Sequence, residues 1–309
     1  MTRFQPIQPD DLAESLAYLL ATPGTGHRAP HDQVRHFLAY LEFSRLSWEG
    51  LRARGPTGPS ALFLALLLPG STAIIMIPTP GELGIDPALQ RAITSAGLAA
   101  WQPRRLHYAQ ALLAPEARAQ RRLLTELGFH PLAPLLYLER DATYPWAEPP
   151  PADAGTWVTF DATTYCDFAT TLLATYEDSL DCPELTGLRP VEDIIAAHQS
   201  SGVFDPALWE LLRVGDRSAA CLLLARWPQH AALEVVYMGV VPAFRQRGLG
   251  SVLLRRALQR CRDTGARRLT LVVDERNQPA RRLYDRFALR QTARRDAYLY
   301  RWLAHPARS

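Results

Sequence analysis

Residues 245–251, Arg-Gln-Arg-Gly-Leu-Gly-Ser, place two glycines and two basic side chains at the start of a predicted helix. The apolar residues that follow, Val252, Leu253, Ala257 and Leu258, recur at helical spacing. The first backbone N–H groups of a helix have no partner inside it and carry partial positive charge. Glycine lets a bulky anion approach the backbone because it has no Cβ. The stretch therefore predicts a cradle for a phosphate or pyrophosphate group.

The glycine spacing excludes two common nucleotide-binding motifs. A dinucleotide fingerprint requires G-x-G-x-x-G, whereas only G-x-G is present here. A P-loop requires a lysine, and this chain of 309 residues has none, because all 34 of its basic residues are arginine. The same absence excludes a lysine Schiff base and a lysine general base. The remaining pattern is Arg-x-x-Gly-x-Gly after an apolar strand that ends in Val-Val-Pro.

The composition is that of a globular protein, with 48% hydrophobic and 21% charged residues. No run of about 18 uncharged apolar residues is present, so we expect no membrane partner. The N-terminus lacks the apolar core of a secretory signal. Cys166, Cys182, Cys221 and Cys261 are far apart and have no zinc-type spacing. We therefore expect a cytoplasmic protein without a metal ion, in which the cysteines act as small apolar residues.

Arginines concentrate near the C-terminus, where residues 245–301 contain 16 arginines and five acidic residues. Such a cluster can bind nucleic acid, a membrane surface or a phosphorylated small ligand, and it can also be a solvated helix face. The segment lacks the interleaved aromatic residues of single-strand binders and any known DNA-binding motif. A nucleic-acid partner is therefore not expected.

A Pro-rich segment, YPWAEPPPADAG at residues 144–155, divides the chain into two halves. Consecutive prolines favour an extended spacer, so we predict one domain at residues 1–143, a linker at 144–155 and a second domain at 156–309. Each half contains an apolar strand pair, a helix, a strand opened by Arg-Arg-Leu and a further helix. This alternation predicts an α/β or α+β fold with an internal repeat. Chance similarity between helices rich in arginine and leucine is the alternative.

The second half allows individual elements to be predicted from apolar periodicity and turn residues. We expect strands at 156–160, 218–227, 231–241, 267–275 and 297–303, and helices at 164–177, 191–200, 251–264 and 279–287.

Two motifs in the second half resemble those of the GNAT superfamily of N-acetyltransferases. Residues 245–250 read Arg-x-x-Gly-x-Gly, and about 30 residues later residues 277–284 read Asn-x-x-Ala-x-x-Leu-Tyr. The resemblance covers roughly residues 156–303, with Ala-Leu at 288–289 in place of the usual Gly-Phe. It implies an α/β (α+β) fold of two tandem domains, each a mixed, mostly antiparallel sheet flanked by helices.

The resemblance also implies acetyl-CoA as the donor substrate. In the family, the pantetheine arm lies between two splayed strands, and the pyrophosphate rests on the amides of the glycine turn. The excess of arginine nearby fits such an anionic ligand. The implied donor-binding residues in this chain are Met238, Gly239, Val240, Arg245, Gln246, Arg247, Gly248, Leu249, Gly250, Ser251, Asn277 and Tyr284.

Direct acetyl transfer requires a deprotonated amine, a stabilised oxyanion and an acid for the departing thiolate. Tyr284 occupies the family position of the acid that protonates the sulfur of CoA; a packing contact is the alternative. Glu234, four residues before Met238 in an apolar strand, is the candidate base, because apolar surroundings raise a carboxyl pKa. A solvent-facing Glu234, with a water chain as the base, is the alternative. The backbone N–H near Val240 would polarise the acetyl carbonyl.

In GNAT folds the region between the first two helices covers the acceptor, and here that region is rich in acidic residues. An acidic lining favours a cationic acceptor, a small-molecule or peptide amine, whereas a solvated acidic loop is the alternative. His198 and His230 are expected to be surface or core residues rather than catalytic ones. The candidate acceptor-binding residues are Glu177, Asp178 and Asp181, with Glu184, Glu192 and Asp193 nearby.

The first half resembles a decayed copy of the same fold. It has Ala117 at the position of Asn277, Leu124 at the position of Tyr284, and PTPGELGID at 78–86 where a cradle would lie. A tandem pair with the active copy second is similar in architecture to mycothiol synthases, although architecture does not carry over the substrate. We therefore expect an acetyl-CoA-dependent N-acetyltransferase, and the alternative is a non-catalytic acyl-CoA-binding sensor or regulatory module. The acceptor, the acyl length and the oligomeric state are left open.

Overall fold

A computed structural model of the chain describes residues 4–56, 58–102, 106–144 and 154–302. The chain divides into two compact units, here termed the N-terminal unit (Met1–Leu132 with Arg295–Ser309) and the C-terminal unit (Ala133–Arg294). Most of the predicted linker, residues 145–153, lies outside the described residues. No helix within the described ranges is long and apolar enough to cross a membrane.

The N-terminal unit is a sheet flanked by helices. One strand pair of this unit, Thr72–Met76 with Tyr108–Leu113, is parallel, and its other described strand pairs are antiparallel. The helices are α1 (Pro9–Leu19), α2 (His31–Ser44), α3 (Pro87–Trp101) and α4 (Arg118–Glu126). The strands, in their order across the sheet, are β1 (Gln5–Pro6), β2 (Ser47–Gly55), β3 (Gly58–Leu68), β4 (Thr72–Met76), β5 (Tyr108–Leu113) and the end of β12 (Arg290–Tyr300).

The C-terminal unit has the same construction. One of its described strand pairs, Ala232–Val240 with Arg268–Asp274, is parallel, and the others are antiparallel. The strands and helices predicted between residues 156 and 287 are present, and the structure adds a strand, Trp209–Val214, for which no range was predicted. Residues 297–300 of the predicted last strand, 297–303, belong to β12 and pair with β5 of the N-terminal unit. The helices are α5 (Tyr165–Tyr176), α6 (Val191–Gln199), α7 (Leu249–Thr264) and α8 (Gln278–Arg286). The strands, in their order across the sheet, are β6 (His130–Asp141), β11 (Arg268–Asp274), β10 (Ala232–Val240), β9 (Arg217–Trp227), β8 (Trp209–Val214) and β7 (Thr156–Thr159).

The two units repeat one element order at a constant spacing. Helices α4 and α8 each have nine residues and begin 160 residues apart. The parallel pairs match as well, because their first register partners are Thr72 with Tyr108 in one unit and Ala232 with Arg268 in the other. The predicted α/β (α+β) class, with mixed and mostly antiparallel sheets flanked by helices, is therefore confirmed.

One strand in each unit comes from the far side of the predicted linker. Residues 135–141 of β6 pair antiparallel with residues 268–274 in the C-terminal unit. Residues 296–300 of β12 pair antiparallel with residues 109–113 in the N-terminal unit. The compact units therefore differ from domains bounded at 143 and 156. The alternation of a strand specifies which face is buried, and it does not specify which sheet receives the strand.

Helix α7 is fixed on the sheet by its apolar face. Val252, Leu253, Ala257 and Leu258, which the spacing predicted to share this face, are all buried in one cluster with the sheet residues of the C-terminal unit. Full burial of a large apolar side chain contributes about 1.5–3 kcal/mol. The helix ends at Gly265, whose φ of 72° is the left-handed conformation common at helix C-termini. The glycine turn at the other end of α7 is thereby held against the end of β10.

Candidate active site

The two parallel strands of the C-terminal unit separate part of the way along their length. They pair from Ala232↔Arg268 to Val235↔Leu271, and β10 then continues for five residues without a described partner on that side. A cavity of about 340 Å³ opens where they part. It is lined by residues of both strands, of α8 and of the loop after α5, and these include Met238, Gly239, Val240, Asn277 and Tyr284.

The glycine turn presents open backbone amides beside this cavity. Gly248 is the N-cap of α7 with a φ of 79°, and no side chain caps the helix. No backbone carbonyl among the described residues accepts a hydrogen bond from the N–H groups of residues 246–250. A Cβ added at Gly248 would meet nothing within 4 Å, so the turn is open on its outer side. The arrangement has the unpartnered amides that an anion requires.

Two amides of the predicted cradle are already used by the protein. The N–H of Arg245 donates to the carbonyl of Pro242 at 3.1 Å, and the N–H of Ser251 donates to the carbonyl of Gly248 at 3.0 Å. The side chain of Leu249 is buried in the core, and the guanidinium of Arg247 lies 5.3 Å from the ring centre of Phe244. The open set is therefore Gln246 to Gly250, narrower than the predicted set of seven residues.

Gly250 has a packing role that the sequence did not predict. A Cβ at this position would lie 3.1 Å from Cδ2 of Leu283, the residue before Tyr284 in α8. Its φ is not positive, unlike that of Gly248. Glycine at this position therefore allows α7 and α8 to approach each other, whereas the open side of the turn is at Gly248.

The side chain of Arg245 is not available to a phosphate. Its Nε donates to the carbonyl of Val240 at 3.0 Å, and its Nη2 donates to the carbonyls of Thr175 at 3.1 Å and Glu177 at 2.5 Å. Its Nη1 donates to the carbonyl of Asp178 at 3.3 Å. The side chain of Arg245 thus connects the end of α5 to the end of β10.

The corresponding helix of the N-terminal unit lacks an open N-terminus. Asp86 is the N-cap of α3, and its Oδ1 accepts a hydrogen bond of 2.8 Å from the N–H of Leu89. Pro87, the first residue of the helix, has no N–H to offer. The N–H of Gly81 donates to the carbonyl of Ile85 at 2.9 Å. A carboxylate and a proline therefore stand where the other unit has open amides.

Tyr284 and Asn277 lie at the cavity but differ in what they do. Tyr284 lines the cavity with only 7% of its surface exposed, and this burial raises the pKa of its phenol above the usual value. A phenol kept protonated can donate a proton to a thiolate. Asn277 is the N-cap of α8, and its Oδ1 accepts a hydrogen bond of 3.2 Å from the N–H of Ala280. Asn277 therefore positions the helix that carries Tyr284.

The acidic loop after α5 is held by internal contacts. Asp181 accepts a hydrogen bond of 2.8 Å from the N–H of Asp274, a fully buried residue at the end of β11. Arg276 bridges Asp274 and Glu184 with distances of 2.7 Å to each. Burial of its carboxyl group, together with the nearby Asp274, raises the pKa of Asp181. Asp178 and Asp181 both line the cavity, and Glu184 is engaged by Arg276.

Glu234 faces a second cavity, of about 440 Å³, rather than the one that contains Tyr284. Its Oε2 accepts a hydrogen bond of 2.6 Å from Nε1 of Trp227. Burial raises the pKa of Glu234, and the indole N–H opposes this shift. Leu271 and Val272 line both cavities, so the two spaces adjoin at the point where β10 and β11 separate.

Several residues of this second cavity were not predicted. Tyr137 and Glu139 lie on β6, on the far side of the linker, and nothing in their local sequence signals that they join this unit. Trp227 ends β9, where an aromatic residue before a proline is an ordinary strand end. His230 was predicted to be a surface or core residue, and it is exposed at the rim of the cavity. The other cavity residues outside β10 and β11 include Thr292.

His198 is not among the residues that line either cavity. His198 accepts or donates a hydrogen bond of 3.1 Å between its Nε2 and the hydroxyl of Tyr176, and burial lowers its pKa to about 3. It is therefore a neutral packing residue.

Within the part of the chain that the structure describes, no group of three or more His, Cys, Asp or Glu side chains could hold a metal ion.

Part of the chain is similar in sequence to known proteins, and the whole fold is similar to solved structures. Residues 172–288 match the model of the acetyltransferase (GNAT) family. A mycothiol acetyltransferase of Beutenbergia cavernae is 36% identical over 102 residues, which are 32% of this chain and 33% of that protein. A Bacillus subtilis protein named for alanine N-acetylation of a ribosomal protein is 34% identical over 65 residues, which are 21% of this chain and 43% of that protein. The matched segments thus span less than half of either relative.

Two solved structures match the fold across nearly the whole chain. A GCN5-related N-acetyltransferase from Sphaerobacter thermophilus has a TM-score of 0.63 at 20% identity and covers 98% of this chain and 97% of its own. A tandem GNAT protein from the clavulanic acid biosynthesis pathway has a TM-score of 0.56 at 14% identity and covers 98% of this chain and 99% of its own. At these identities the likeness concerns the fold, and it agrees with two units of one architecture.

Proposed function

Because residues 172–288 match the model of the GNAT acetyltransferase family, we propose that this chain is an acetyl-CoA-dependent N-acetyltransferase. The observation that carries the proposal is the open set of amides at residues 246–250 beside the cavity that contains Tyr284. An anion site and a buried proton donor at one cavity are what a thioester of a nucleotide-bearing thiol requires.

The donor substrate is bound by backbone groups. The N–H groups of residues 246–250 receive the pyrophosphate, and the unpaired edge of β10 at Met238, Gly239 and Val240 receives the pantetheine amides. The N-terminal unit offers no equivalent anion site because Asp86 and Pro87 close α3. We therefore propose one acetyl-CoA per chain, bound in the C-terminal unit.

The transfer is a direct attack on the thioester. The amine nitrogen forms a C–N bond with the acetyl carbon as the C–S bond breaks, and the N–H near Val240 stabilises the oxyanion. The amine proton passes to Glu234, directly or through water, and the thiolate takes a proton from Tyr284. The raised pKa of Glu234 suits a base that works near neutral pH.

The acceptor enters through the cavity that contains Glu234. Its wall carries Glu234, Glu139 and Trp227, and Arg268 on the same wall forms an ion pair of 3.5 Å with Glu139. The carboxylate of Glu234 and the ring of Trp227 suit a cationic primary amine. A small-molecule amine and a peptide amine both remain within the proposal. We propose a cytoplasmic setting, with which the four free cysteines agree.

The test is a CoA-release assay of the full chain against a panel of polyamines, aminoglycosides, amino acids, cysteinyl thiols and peptides. We expect release with at least one primary amine, and a lower rate for Glu139→Gln than for the matched change Glu192→Gln, which lies outside the cavity. Acetyl-CoA binding without release by any amine would favour a sensor or regulatory module. Absence of acetyl-CoA binding would contradict the proposed function.

A further inference from the structure

Tyr237 lies on the same face of the sheet as Glu234 because β10 contains a bulge between them. In a regular strand, residues three positions apart face opposite sides. The register of β10 against β9 shifts between Val235 and Tyr237. As a result Glu234 lies opposite Ala225, and the tyrosine lies opposite Leu223. Since these two partners are two residues apart, the bulge turns the tyrosine to the face that carries the proposed base.

The hydroxyl of Tyr237 lies over Gly239, in the cavity that also contains Tyr284. All three residues line that cavity. A Cβ added at Gly239 would lie 2.8 Å from Oη of Tyr237 and 2.8 Å from Oγ1 of Thr175. Glycine at this position therefore leaves room for two hydroxyl groups beside the strand edge that is proposed to receive the donor.

The ring of Tyr237 is held between other side chains. Its centre lies 5.1 Å from the ring centre of Tyr176 and 5.5 Å from that of His198. Thr175 is fixed from the other direction, because its backbone carbonyl accepts a hydrogen bond of 3.1 Å from Nη2 of Arg245. Packing and hydrogen bonding thus fix the position of the phenol oxygen before any ligand arrives.

The hydrogen bonds around this oxygen specify which group donates. Oγ1 of Thr175 donates to the carbonyl of Leu172 at 2.7 Å, and a hydroxyl has one proton to give. The bond of 2.9 Å between the hydroxyls of Tyr237 and Thr175 is therefore donated by the tyrosine. Burial raises the pKa of Tyr237, so the phenol keeps this proton. No donor among the described residues reaches the phenol oxygen, which can therefore accept a hydrogen bond from a ligand.

We propose that the oxygen of Tyr237 accepts a hydrogen bond from the attacking amine and so orients its lone pair toward the thioester. This inference rests on the proposed function and assigns a residue that positions the acceptor. A neutral primary amine has one lone pair and two N–H groups. The lone pair forms the C–N bond as the C–S bond breaks, and one N–H proton passes to Glu234, directly or through water. The thiolate takes its proton from Tyr284, and the second N–H stays on nitrogen, bonded to Tyr237.

This arrangement distinguishes primary from secondary amines. A secondary amine has a single N–H, and the base must remove that proton. Its additional carbon substituent would then face the phenol oxygen, which would have no donor. A site that hydrogen-bonds an N–H of its substrate rejects an analogue that lacks it. The ratio of rates for a primary amine and its N-methyl derivative therefore reports on Tyr237.

The probes are butylamine, glycinamide and alanylglycine, each compared with its N-methyl derivative. We expect Tyr237→Phe to lower kcat/KM for the primary amines about tenfold, to leave the N-methyl derivatives nearly unchanged and to keep the affinity for coenzyme A. Tyr176→Phe is the matched control. It removes a hydroxyl from the same cluster of rings, at a residue that does not line the cavity, and should keep the wild-type ratio.

Two changes at Thr175 separate the hydrogen bond from packing. Thr175→Ser keeps the oxygen that receives the phenol proton and should keep the wild-type ratio. Thr175→Val removes this oxygen, so the phenol proton can turn into the cavity, and the ratio should fall toward that of Tyr237→Phe.

An unchanged ratio in Tyr237→Phe would overturn the inference, and so would an equal loss of rate for both members of each pair. If no amine of the panel described above releases coenzyme A, the proposed transferase fails, and calorimetry of the same pairs in saturating coenzyme A decides on Tyr237. Tighter binding of the primary amine that is lost in Tyr237→Phe would support this position. Equal or absent binding of the two amines would contradict it.

Discussion

Nε1 of Trp227 donates a hydrogen bond of 2.6 Å to Oε2 of Glu234. Opposing effects therefore act on this carboxyl group, because burial raises its pKa, whereas hydrogen bonds from the indole N–H and from the side chain of Ser201 stabilise the charged form. If Glu234 is the base of the proposed reaction, Trp227 sets the pH at which the base becomes active without itself touching the acetyl group.

Replacing Trp227 with phenylalanine should move the acid limb of kcat/KM to higher pH. The base acts when deprotonated, so activity falls as the pH drops through the pKa of Glu234, and loss of the indole N–H raises that pKa further. The measurement is a pH–rate profile for an active amine. Trp157→Phe, outside the cavity, should keep the wild-type profile. An acid limb that persists unchanged in both Trp227→Phe and Glu234→Gln would exclude Glu234 as the base.

Replacing Tyr284 with phenylalanine should lower kcat about 10- to 100-fold with little change in acetyl-CoA affinity. The phenol is needed mainly when the thiolate leaves, so its loss affects the transition state more than binding. Steady-state kinetics and calorimetry separate the two effects. Tyr165→Phe, in α5 and outside the cavity, is the control for removal of a phenol. An unchanged kcat would reduce Tyr284 to a packing residue.

The two ends of α7 provide a matched pair for testing the anion site. Gly248 and Gly265 have φ values of 79° and 72°, and a Cβ at either would meet nothing within 4 Å. Valine at each position should lower the free energy of unfolding by a similar amount, about 1–2 kcal/mol, because the backbone there is left-handed. Only Gly248→Val should weaken acetyl-CoA binding, by at least about tenfold in calorimetry. Equal affinities in the two variants would refute the placement of the pyrophosphate.

Replacing Arg245 with lysine should loosen the end of α5. An ammonium cannot reach the four carbonyls that the guanidinium binds, and a loss of about 2 kcal/mol in stability is expected for charged hydrogen bonds of this kind. Hydrogen exchange of residues 175–178 should accelerate more than that of α8. If instead exchange is unchanged and acetyl-CoA affinity alone falls, the side chain binds the donor after all.

His198 should make stability depend on pH. Its pKa is lowered to about 3 in the folded chain from 6.5, so below pH 6.5 the unfolded chain takes up a proton that the folded chain does not. Stability from this group is present above pH 6.5 and is lost as the pH falls towards 3. Urea unfolding at pH 7 and pH 5 should therefore differ less for His198→Gln than for wild type. The exposed His230→Gln variant should retain the wild-type difference, and an identical loss in all three proteins would contradict the assignment.

The features that the sequence predicts well are those that depend on neighbours in the chain. The glycine turn and the α7 face each follow from residues a few positions apart, and the structure contains both. Asn277 was predicted to bind the donor, and the structure shows it as the N-cap of α8. Asp-Pro at 86–87 is also a local helix-start signal, and it explains physically why the N-terminal unit has no cradle.

The features that the sequence missed depend on residues that meet only in the fold. The motif of Arg245 does not indicate that three of the four carbonyls bound by its side chain, those of Thr175, Glu177 and Asp178, lie about 70 residues earlier in the chain. Glu234 was placed correctly in a strand, but the cavity that it faces includes Tyr137 and Glu139 from before the linker. No periodicity or spacing reports such contacts, because they are set by which strand enters which sheet.

Because β6 pairs with β11 and the end of β12 pairs with β5, the sheets of the two units are completed at different times during synthesis. As the chain leaves the ribosome, the N-terminal unit lacks this partner of β5 until residues 296–300 emerge, long after β5 itself has been synthesised. Its sheet edge at β5 is therefore exposed throughout translation, and unpaired edges are sites of aggregation. In the C-terminal unit, β6 is synthesised before β11, the strand with which it pairs. The N-terminal unit is thus completed after the C-terminal unit during synthesis.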